Sequence, residues 1–268
     1  MSDEGLRVER RGDAVAILQI DRPGRMNALD DALLRRLPEV LRGLARDKAT
    51  RAVVLTGRGP AFSAGGDLDD LGPRLSAGVE SARQMMVTYH EVVRAIGAVD
   101  VPVLAAVDGA CAGAGVSLAA ACDIVVAGRS VRFTPAFTKV GLVPDLGALH
   151  FWLEALGPRL AKEFAMLGEP MTAQSAHTHG LVNHVVDDGA ALDVAVGLAT
   201  RLSSGPSASY AMIKSIVNAA SSKSRDDVLA LEAFAQAAAF RTSEFEDGIQ
   251  AFRERRPAVF ADRQVGSR

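Results

Sequence analysis

Short, continuous apolar runs are the feature that most limits the fold of this chain. Each run has about the length of one strand and is almost entirely apolar, which predicts a buried strand. The runs are Ala14–Ile20, Ala52–Thr56 and Val103–Val107. Helical patterns separate them, and from Leu146 onward helices dominate, with one short strand at Leu181–Val186. This order predicts an α/β body at residues 1–204 and a C-terminal helical region at residues 205–268.

Three helical segments near the middle of the chain carry specific expectations. Asp30 can cap a helix whose leucines form one apolar face, but Pro38 lies inside that pattern and predicts a kink or a break. The pattern over Ser81–Val99 predicts one helix. The glycine-rich segment from Gly109 is expected to open another, which runs through Ala121.

Composition and charge exclude several classes of protein. The 268 residues carry 30 Lys and Arg against 32 Asp and Glu, so there is no basic excess for a nucleic-acid backbone or an anionic membrane. Two cysteines rule out a disulfide scaffold and a cysteine-rich metal site. With no apolar run of membrane-spanning length and no signal-like start, we expect a cytoplasmic protein that binds neither membrane nor nucleic acid.

Two glycine-rich loops carry the chemistry. Phe62–Leu68 and Gly109–Ser117 each follow a predicted strand, and the second opens a helix. Glycine allows backbone N–H groups to approach a ligand closely, and two such loops could aim donors at one oxygen that gains negative charge. Either loop alone is better explained by a tight turn, and neither is a complete dinucleotide-binding motif.

Taken together, the two loops and their flanking segments resemble the enoyl-CoA hydratase/isomerase (crotonase) superfamily. Four segments carry the resemblance, in order and at similar separations. They are Arg22-Pro-x-x-x-Asn27-Ala28-Leu29, Phe62-Ser-Ala-Gly-Gly-Asp67-Leu68, Gly109-x-x-x-Gly113-x-Gly115-x-x-Leu118-x-x-x-Cys122-Asp123 and Phe133-x-x-x-Phe137-x-x-x-Gly141-Leu142-x-Pro144-Asp145-x-Gly147. The similarity covers nearly the whole chain and is closest to the phenylacetate-pathway isomerase branch.

The resemblance implies an α/β fold, a crotonase-like spiral of β-β-α turns, with a C-terminal helical trimerisation region. It implies an acyl-CoA thioester as substrate, a homotrimer or dimer of trimers, and no metal or separate cofactor. By position, the N–H groups of Gly66 and Ala114 would form the oxyanion hole. The residues implied to line the substrate or CoA path are Arg25, Met26, Ala64, Asp67, Leu68, Gly113, Ser117 and Phe137.

The chain departs from the hydratase pattern at both acid–base positions. Ser117 and Phe137 stand where the family's hydratases carry glutamates, and neither side chain can serve as a carboxylate base. The carboxylate that remains is Asp145, which resembles the single acid–base group of family isomerases. We therefore expect an enoyl-CoA isomerase, acting on a double bond or a ring epoxide. The alternatives are a hydratase with an atypical site and a catalytically silent acyl-CoA binder.

Two residues have competing interpretations. Asp145 could instead cap a helix that begins near Leu146. His90 matches the spacing of a histidine in a family dehalogenase that also has an aspartate at the position of Asp145, although a packed or solvated histidine is the commoner explanation.

The arginines near the end of the chain could approach CoA phosphates or form a solvated charged run.

Overall fold

A computed structural model describes residues 2–3, 5–71 and 78–260, which form two β-sheets with surrounding helices. The strands are β1 (Ser2–Asp3), β2 (Leu6–Arg11), β3 (Val15–Ile20), β4 (Ala52–Gly57), β5 (Ala61–Ser63), β6 (Val103–Val107), β7 (Ala110–Ala112), β8 (Ile124–Gly128), β9 (Arg132–Thr134), β10 (Met171–Thr172) and β11 (His184–Val186).

The described helices fall into two groups, one interspersed with strands and one at the C-terminal end. They are α1 (Asp31–Arg46), α2 (Leu68–Leu71), α3 (Val79–Tyr89), α4 (Glu91–Ala98), α5 (Ala114–Ala120), α6 (Ala148–Leu167), α7 (Ala173–Thr178), α8 (Ala191–Ser203), α9 (Ser207–Ala220), α10 (Arg225–Ala239) and α11 (Ser243–Arg253). Short 3-10 helices span Pro23–Arg25 and Ala136–Val140.

From β4 to β9, consecutive strands alternate between the two sheets. The larger sheet has the order β1-β2-β3-β4-β6-β8-β11, and the smaller has the order β10-β9-β7-β5. In each repeat, one strand joins the larger sheet, the next joins the smaller, and a helix follows; β6-β7-α5 and β8-β9-α6 are the clearest cases. This is the predicted spiral of β-β-α turns, and the prediction of the fold class is confirmed.

Helices cover both faces of the larger sheet at β3, β4 and β6, which explains why these strands are almost entirely apolar. Side chains alternate across a strand, so Val15 and Ile17 pack with α8, while Ala16 and Leu18 belong to the main core beneath α1 and α4. Strands buried on both faces have no position where a polar side chain would reach water.

Two of the helix predictions were wrong. Pro38 does not end α1, which continues to Arg46 with Pro38 buried inside it. Proline costs the helix one hydrogen bond, and the leucine face buried on either side of it outweighs that loss. The single helix predicted over Ser81–Val99 is two helices that meet at His90, because α4 packs into the core while the only buried side chain of α3 is Tyr89.

Other differences concern short elements. The segment after Gly109 first forms β7, so α5 begins at Ala114 and ends at Ala120. The strand predicted at Leu181–Val186 shortens to β11. The sequence analysis missed β2, whose alternating residues are only partly buried, and α11.

The boundary between the body and the C-terminal helices stays a prediction. In the structure α8 ends at Ser203, and the Arg51 guanidinium donates to the Ser203 carbonyl oxygen at 2.6 Å and to the Gly205 carbonyl oxygen at 2.8 Å. None of the helices in the described ranges is long and apolar enough to cross a membrane.

Within the smaller sheet, the starts of β5 and β7 approach each other closely at Gly109, just before β7. Its φ is +69°, and a Cβ atom there would lie 2.0 Å from the carbonyl oxygen of Pro60, the residue before β5. The Ala110 N–H donates to the same oxygen at 3.3 Å. This contact holds the starts of β5 and β7 together, and the glycine-rich loops follow directly from these two strands.

We expect Gly109→Ala to lower the free energy of unfolding by more than about 3 kcal/mol, since both φ and the approach of Pro60 exclude a side chain. Gly180→Ala is the matched control, because Gly180 has a φ of +84° with open space around it. Gly180→Ala should lower the free energy of unfolding by about 1–2 kcal/mol. Urea denaturation of both variants measures the difference, and equal losses would contradict the close approach.

Candidate functional site

A cavity of about 530 Å3 opens where the loop after β5, the start of α5 and the segment before α6 meet. Ten of the eleven site residues predicted from the sequence lie on its wall: Arg25, Met26, Ala64, Gly66, Asp67, Leu68, Gly113, Ala114, Phe137 and Asp145. The described lining residues do not include Ser117. The sequence segments that carried the resemblance therefore meet at one site.

The first feature of the site is the orientation of the Gly66 amide. Leu29 and Gly66 form a parallel bridge in which the Leu29 N–H donates to the Gly65 carbonyl oxygen at 2.7 Å and the Asp67 N–H donates to the Leu29 carbonyl oxygen at 3.0 Å. In a trans peptide the C=O and the following N–H point in opposite directions. The Gly66 N–H is therefore directed away from Leu29, and within the described chain it has no hydrogen-bond acceptor.

The Ala114 amide is oriented by the helix that it begins. The Gly113 carbonyl oxygen accepts from the Val116 N–H at 2.9 Å, so the Ala114 N–H of the same peptide group points out of the N-terminus of α5. N–H groups in the first turn of a helix have no partner within the helix. No acceptor for this N–H is found among the described residues either.

The two loops are in contact, which brings these amides to the same part of the cavity wall. Gly65 has a φ of +98°, and a Cβ atom there would lie 2.9 Å from the Ala112 carbonyl oxygen and 3.3 Å from the Ala114 nitrogen. A Cβ atom on Gly115 would lie 2.6 Å from the Ser63 carbonyl oxygen. Glycine at both positions is what allows the loops to touch.

Asp67 fixes the position of the first loop. Its side chain is 7% exposed, and it accepts from Arg22 Nη2 at 3.0 Å and from the Asp69 N–H at 3.2 Å. Arg22 also pairs with Asp30 at 2.9 Å. Burial alone would raise the pKa of Asp67, but the Asp69 N–H and the Arg22 guanidinium together hold this pKa below its ordinary value. Asp67 is therefore ionised and hydrogen-bonded to Arg22 and to the Asp69 N–H.

Asn27 connects the segment around Met26 to the start of β5. It is fully buried with a φ of +55°, its Oδ1 accepts from the Arg22 N–H at 2.9 Å, and its Nδ2 donates to the Ala61 carbonyl oxygen at 2.6 Å. The neighbouring Met26 carbonyl oxygen accepts from the Ala64 N–H at 2.9 Å. These bonds hold the glycine-rich loop on the side opposite α5.

The mouth of the cavity carries charged groups. Arg25 forms an ion pair of 2.5 Å with Asp69, and both side chains are more than half exposed. Met26, with a φ of +50°, and Lys139 lie on the same wall. The charge of Arg25, which the resemblance places on the substrate or CoA path, is thus balanced by Asp69 in this structure.

Asp145 is half-buried and lies on the wall, in the same segment as Phe137. The alternative that a helix begins at Leu146 with Asp145 as its cap is wrong, because α6 begins at Ala148 and its N-cap residue is Gly147. The Asp145 carbonyl oxygen accepts from the Ala148 N–H at 3.0 Å.

Ser117 and Trp152 lie behind the wall, and both are fully buried. Ser117 Oγ and Trp152 Nε1 have no hydrogen-bond partner among the described residues. The Phe137 ring lies 6.5 Å from the Trp152 ring, which in turn packs edge-on against Phe164 at 4.9 Å. Aromatic rings therefore occupy the space beside α5.

His90 does not belong to the described wall of the cavity. It lies at the junction of α3 and α4, where burial and the charge of Arg94 lower its pKa. The preceding residue, Tyr89, is on the wall instead. The Tyr89 hydroxyl donates to Asp31 Oδ1 at 2.7 Å.

The sequence analysis missed Tyr89 and the leucines of the wall, which are Leu29, Leu34, Leu142 and Leu146. The available signal for Tyr89 was its position next to His90, on the helix that the sequence analysis predicted over Ser81–Val99. The leucines gave no signal that distinguishes a cavity wall from an ordinary core.

The β-β-α spiral and two outward-directed amides on one cavity define a protein of the crotonase type. A family model described as enoyl-CoA hydratase/isomerase matches residues 10–263. The chain therefore belongs to the enoyl-CoA hydratase/isomerase family, whose members act on acyl-CoA thioesters.

Individual relatives have different activities. A 1,2-epoxyphenylacetyl-CoA isomerase of Escherichia coli is 36% identical over 251 residues, covering 92% of this chain and 94% of that protein. A mitochondrial enoyl-CoA hydratase of Pongo abelii is 31% identical, covering 95% and 87%. The crystal structure of an enoyl-CoA hydratase from Polaromonas sp. JS666 superimposes with a TM-score of 0.90 at 35% identity, covering 94% and 98%.

The position of Asp67 generates a pH-dependent prediction. We expect Asp67→Asn to lower the free energy of unfolding by about 2 kcal/mol near pH 7, because an ionised group loses its bonds to Arg22 and Asp69. The pKa of Asp67 is depressed in the folded state, so this contribution is present above about pH 4 and is lost as the pH falls further.

Urea denaturation of the wild type and the variant between pH 7 and pH 3 measures this difference. The two curves should converge at the acidic end. A difference that grows toward low pH would contradict the assigned ionisation of Asp67.

Proposed function

We propose that this protein is an enoyl-CoA isomerase in which Asp145 is the acid–base group and the Gly66 and Ala114 amides form an oxyanion hole. The observation that carries the proposal is the pair of outward-directed amides on the same cavity wall as a half-buried carboxylate. Donors aimed at an oxygen stabilise it most when it becomes negative, so they favour an enolate over the neutral thioester.

The proposed reaction is a proton transfer within the acyl group. The Asp145 carboxylate removes a proton from C2 of a 3-enoyl thioester, and the resulting dienolate places its charge on the thioester oxygen. The same carboxyl group returns the proton to C4, which moves the double bond to the 2-position. No net oxidation occurs, so the proposal includes no redox cofactor.

The other two carboxylates on the described wall form ion pairs. Asp67 is paired with Arg22, and Asp69 is paired with Arg25. The positions that hold glutamates in the family's hydratases carry Ser117 and Phe137, so the two groups that would activate a water are missing. This supports isomerisation over hydration. A ring-epoxidised aryl-acetyl thioester is a further candidate substrate, because the Escherichia coli relative is a 1,2-epoxyphenylacetyl-CoA isomerase.

The assay that separates the candidate functions follows the absorbance of the conjugated enoyl thioester. A gain from a 3-enoyl-CoA supports the isomerase, and a loss from a 2-enoyl-CoA would support the hydratase. No change with either, together with intact binding of the esters and no turnover of the ring epoxide, would favour a silent acyl-CoA binder.

We expect Asp145→Asn to lower kcat for isomerisation by at least about 100-fold, because the amide cannot accept the substrate proton. The affinity for a non-reactive acyl-CoA, measured by calorimetry, should stay within about threefold. Asp193→Asn is the control, since this carboxylate is exposed on α8 behind the larger sheet. A fully active Asp145→Asn enzyme would refute the assigned role.

We further propose that the C-terminal helices mediate assembly into trimers or dimers of trimers, as the family resemblance implies. Large apolar side chains are exposed on α9, α10 and α11. The most exposed are Ile213, Val217, Leu229, Phe234 and Phe252. Exposed apolar side chains of this size mark protein–protein contacts when they are grouped in one region.

Light scattering should then give a mass of three or six times 28.1 kDa. Phe234→Glu should reduce this mass, because the side chain is 79% exposed and a charge would be buried at the contact. Gln236→Glu places the same charge on the other side of α10 and should leave the mass unchanged. A 28.1 kDa wild-type species would overturn the proposal.

A further inference from the structure

Asp145 and Leu146 are consecutive in the chain, yet both line the cavity. Successive side chains point to opposite faces of a strand, and in an α-helix they diverge by about 100°. Asp145 and Leu146 lie in neither element, so the local backbone has to bring this carboxylate and its apolar neighbour to the same wall.

The backbone meets this requirement with a tight turn over residues 145–148. The Ala148 N–H donates to the Asp145 carbonyl oxygen at 3.0 Å, and the two central residues both have positive φ, +51° at Leu146 and +77° at Gly147. Positive φ at both central positions defines a type I′ turn. Glycine, asparagine and aspartate favour the first of these positions, whereas a leucine there is strained.

The second central position explains why the turn is fixed. A Cβ atom on Gly147 would lie 2.9 Å from the Phe151 ring, so only glycine fits between the turn and α6. Gly147 is also the N-cap of α6, and its carbonyl oxygen accepts from the His150 and Phe151 N–H groups at 3.0 and 3.2 Å. The packing of α6 therefore holds the turn in place.

Leu146 itself is 1% exposed and closes the wall next to Asp145. An asparagine would suit the backbone better but would place a polar amide in this apolar wall. A residue retained against its local backbone preference is most often found where function requires the conformation.

We propose that Leu146 is a positioning residue: its left-handed conformation aims the Asp145 carboxylate at the reacting carbon. This inference rests on the proposed function, in which Asp145 transfers the proton. It differs from an ordinary packing role because the property that matters is the backbone angle, and not the apolar surface of the leucine.

The two roles predict opposite orders for a pair of substitutions. Leu146→Ile conserves apolar volume, but a β-branched residue is strongly disfavoured at positive φ. Leu146→Asn loses the apolar surface but tolerates positive φ readily. If the turn positions Asp145, kcat for Leu146→Asn should exceed that for Leu146→Ile by about tenfold, with the larger rise in KM in the asparagine variant. If Leu146 only packs, the isoleucine variant should be the more active one.

Leu146→Met provides the reference, because it changes the side chain while keeping leucine's backbone preferences. The positioning role predicts that the kcat of Leu146→Ile falls well below that of Leu146→Met, while the KM values of the two variants stay similar. Should the isoleucine variant not fold, the comparison of Asn with Met decides. If the kcat of Leu146→Asn equals or exceeds that of Leu146→Met, the inference is supported. If the kcat of Leu146→Asn is clearly lower, the inference is overturned.

Asp145→Asn is measured in the same assay, so that the two proposals can fail separately. If Asp145→Asn keeps full activity, the proposed function fails. If Asp145→Asn is inactive while the kcat of Leu146→Ile equals or exceeds that of Leu146→Asn, only the positioning role fails.

Discussion

The site depends on the two hydrogen bonds that Leu29 makes with the glycine-rich loop after β5. Because Leu29 binds the Gly65 carbonyl and the Asp67 amide, the Gly66 N–H between them is left without an acceptor in the described chain and directed away from Leu29. Arg22 reinforces this arrangement by joining Asp67 to Asp30 on the Leu29 side. A rotation of this one peptide group would replace an N–H donor by a carbonyl oxygen, which would repel a developing oxyanion.

The β-β-α repeat delivers the second donor to the same place. Each repeat ends with a short strand of the smaller sheet, and the parallel pairing of β5 with β7 sets the two following loops side by side. Contact between the loops then requires that side chains be absent at Gly65, Gly109 and Gly115. The glycines are thus needed for the approach of two backbones, and the exposed amides are a consequence of that approach.

Regular features of the fold could be predicted from local pattern, and features that depend on contacts across the chain could not. The strands β3, β4 and β6 are continuous apolar runs because helices cover both faces of their sheet. Pro38 was misjudged because the burial of the α1 leucines outweighs one lost hydrogen bond, and no local rule reports burial. The break at His90 follows from where α3 and α4 pack, which the continuous helical pattern does not record.

The candidate site divides in the same way. Ordered motifs identified ten of its residues, because the resemblance assigns them position by position along four segments. Ser117 was expected on the substrate path and instead lies buried behind it. The left-handed turn at Leu146 was invisible, since a leucine gives no sign of positive φ. Tyr89 was missed because its place on the wall depends on the packing of α3 against α1, where its hydroxyl donates to Asp31.

The departures at residues 117 and 137 support each other physically. The Phe137 ring meets Trp152, and Trp152 meets Phe164, so an aromatic cluster fills the region beside α5 in which Ser117 is buried. A glutamate at residue 117, a fully buried position, would have to bury its carboxylate, at a cost of several kcal/mol unless a partner were also supplied. In the proposed reaction the dienolate returns its proton through Asp145, and residues 117 and 137 carry no carboxylate that would activate a competing water.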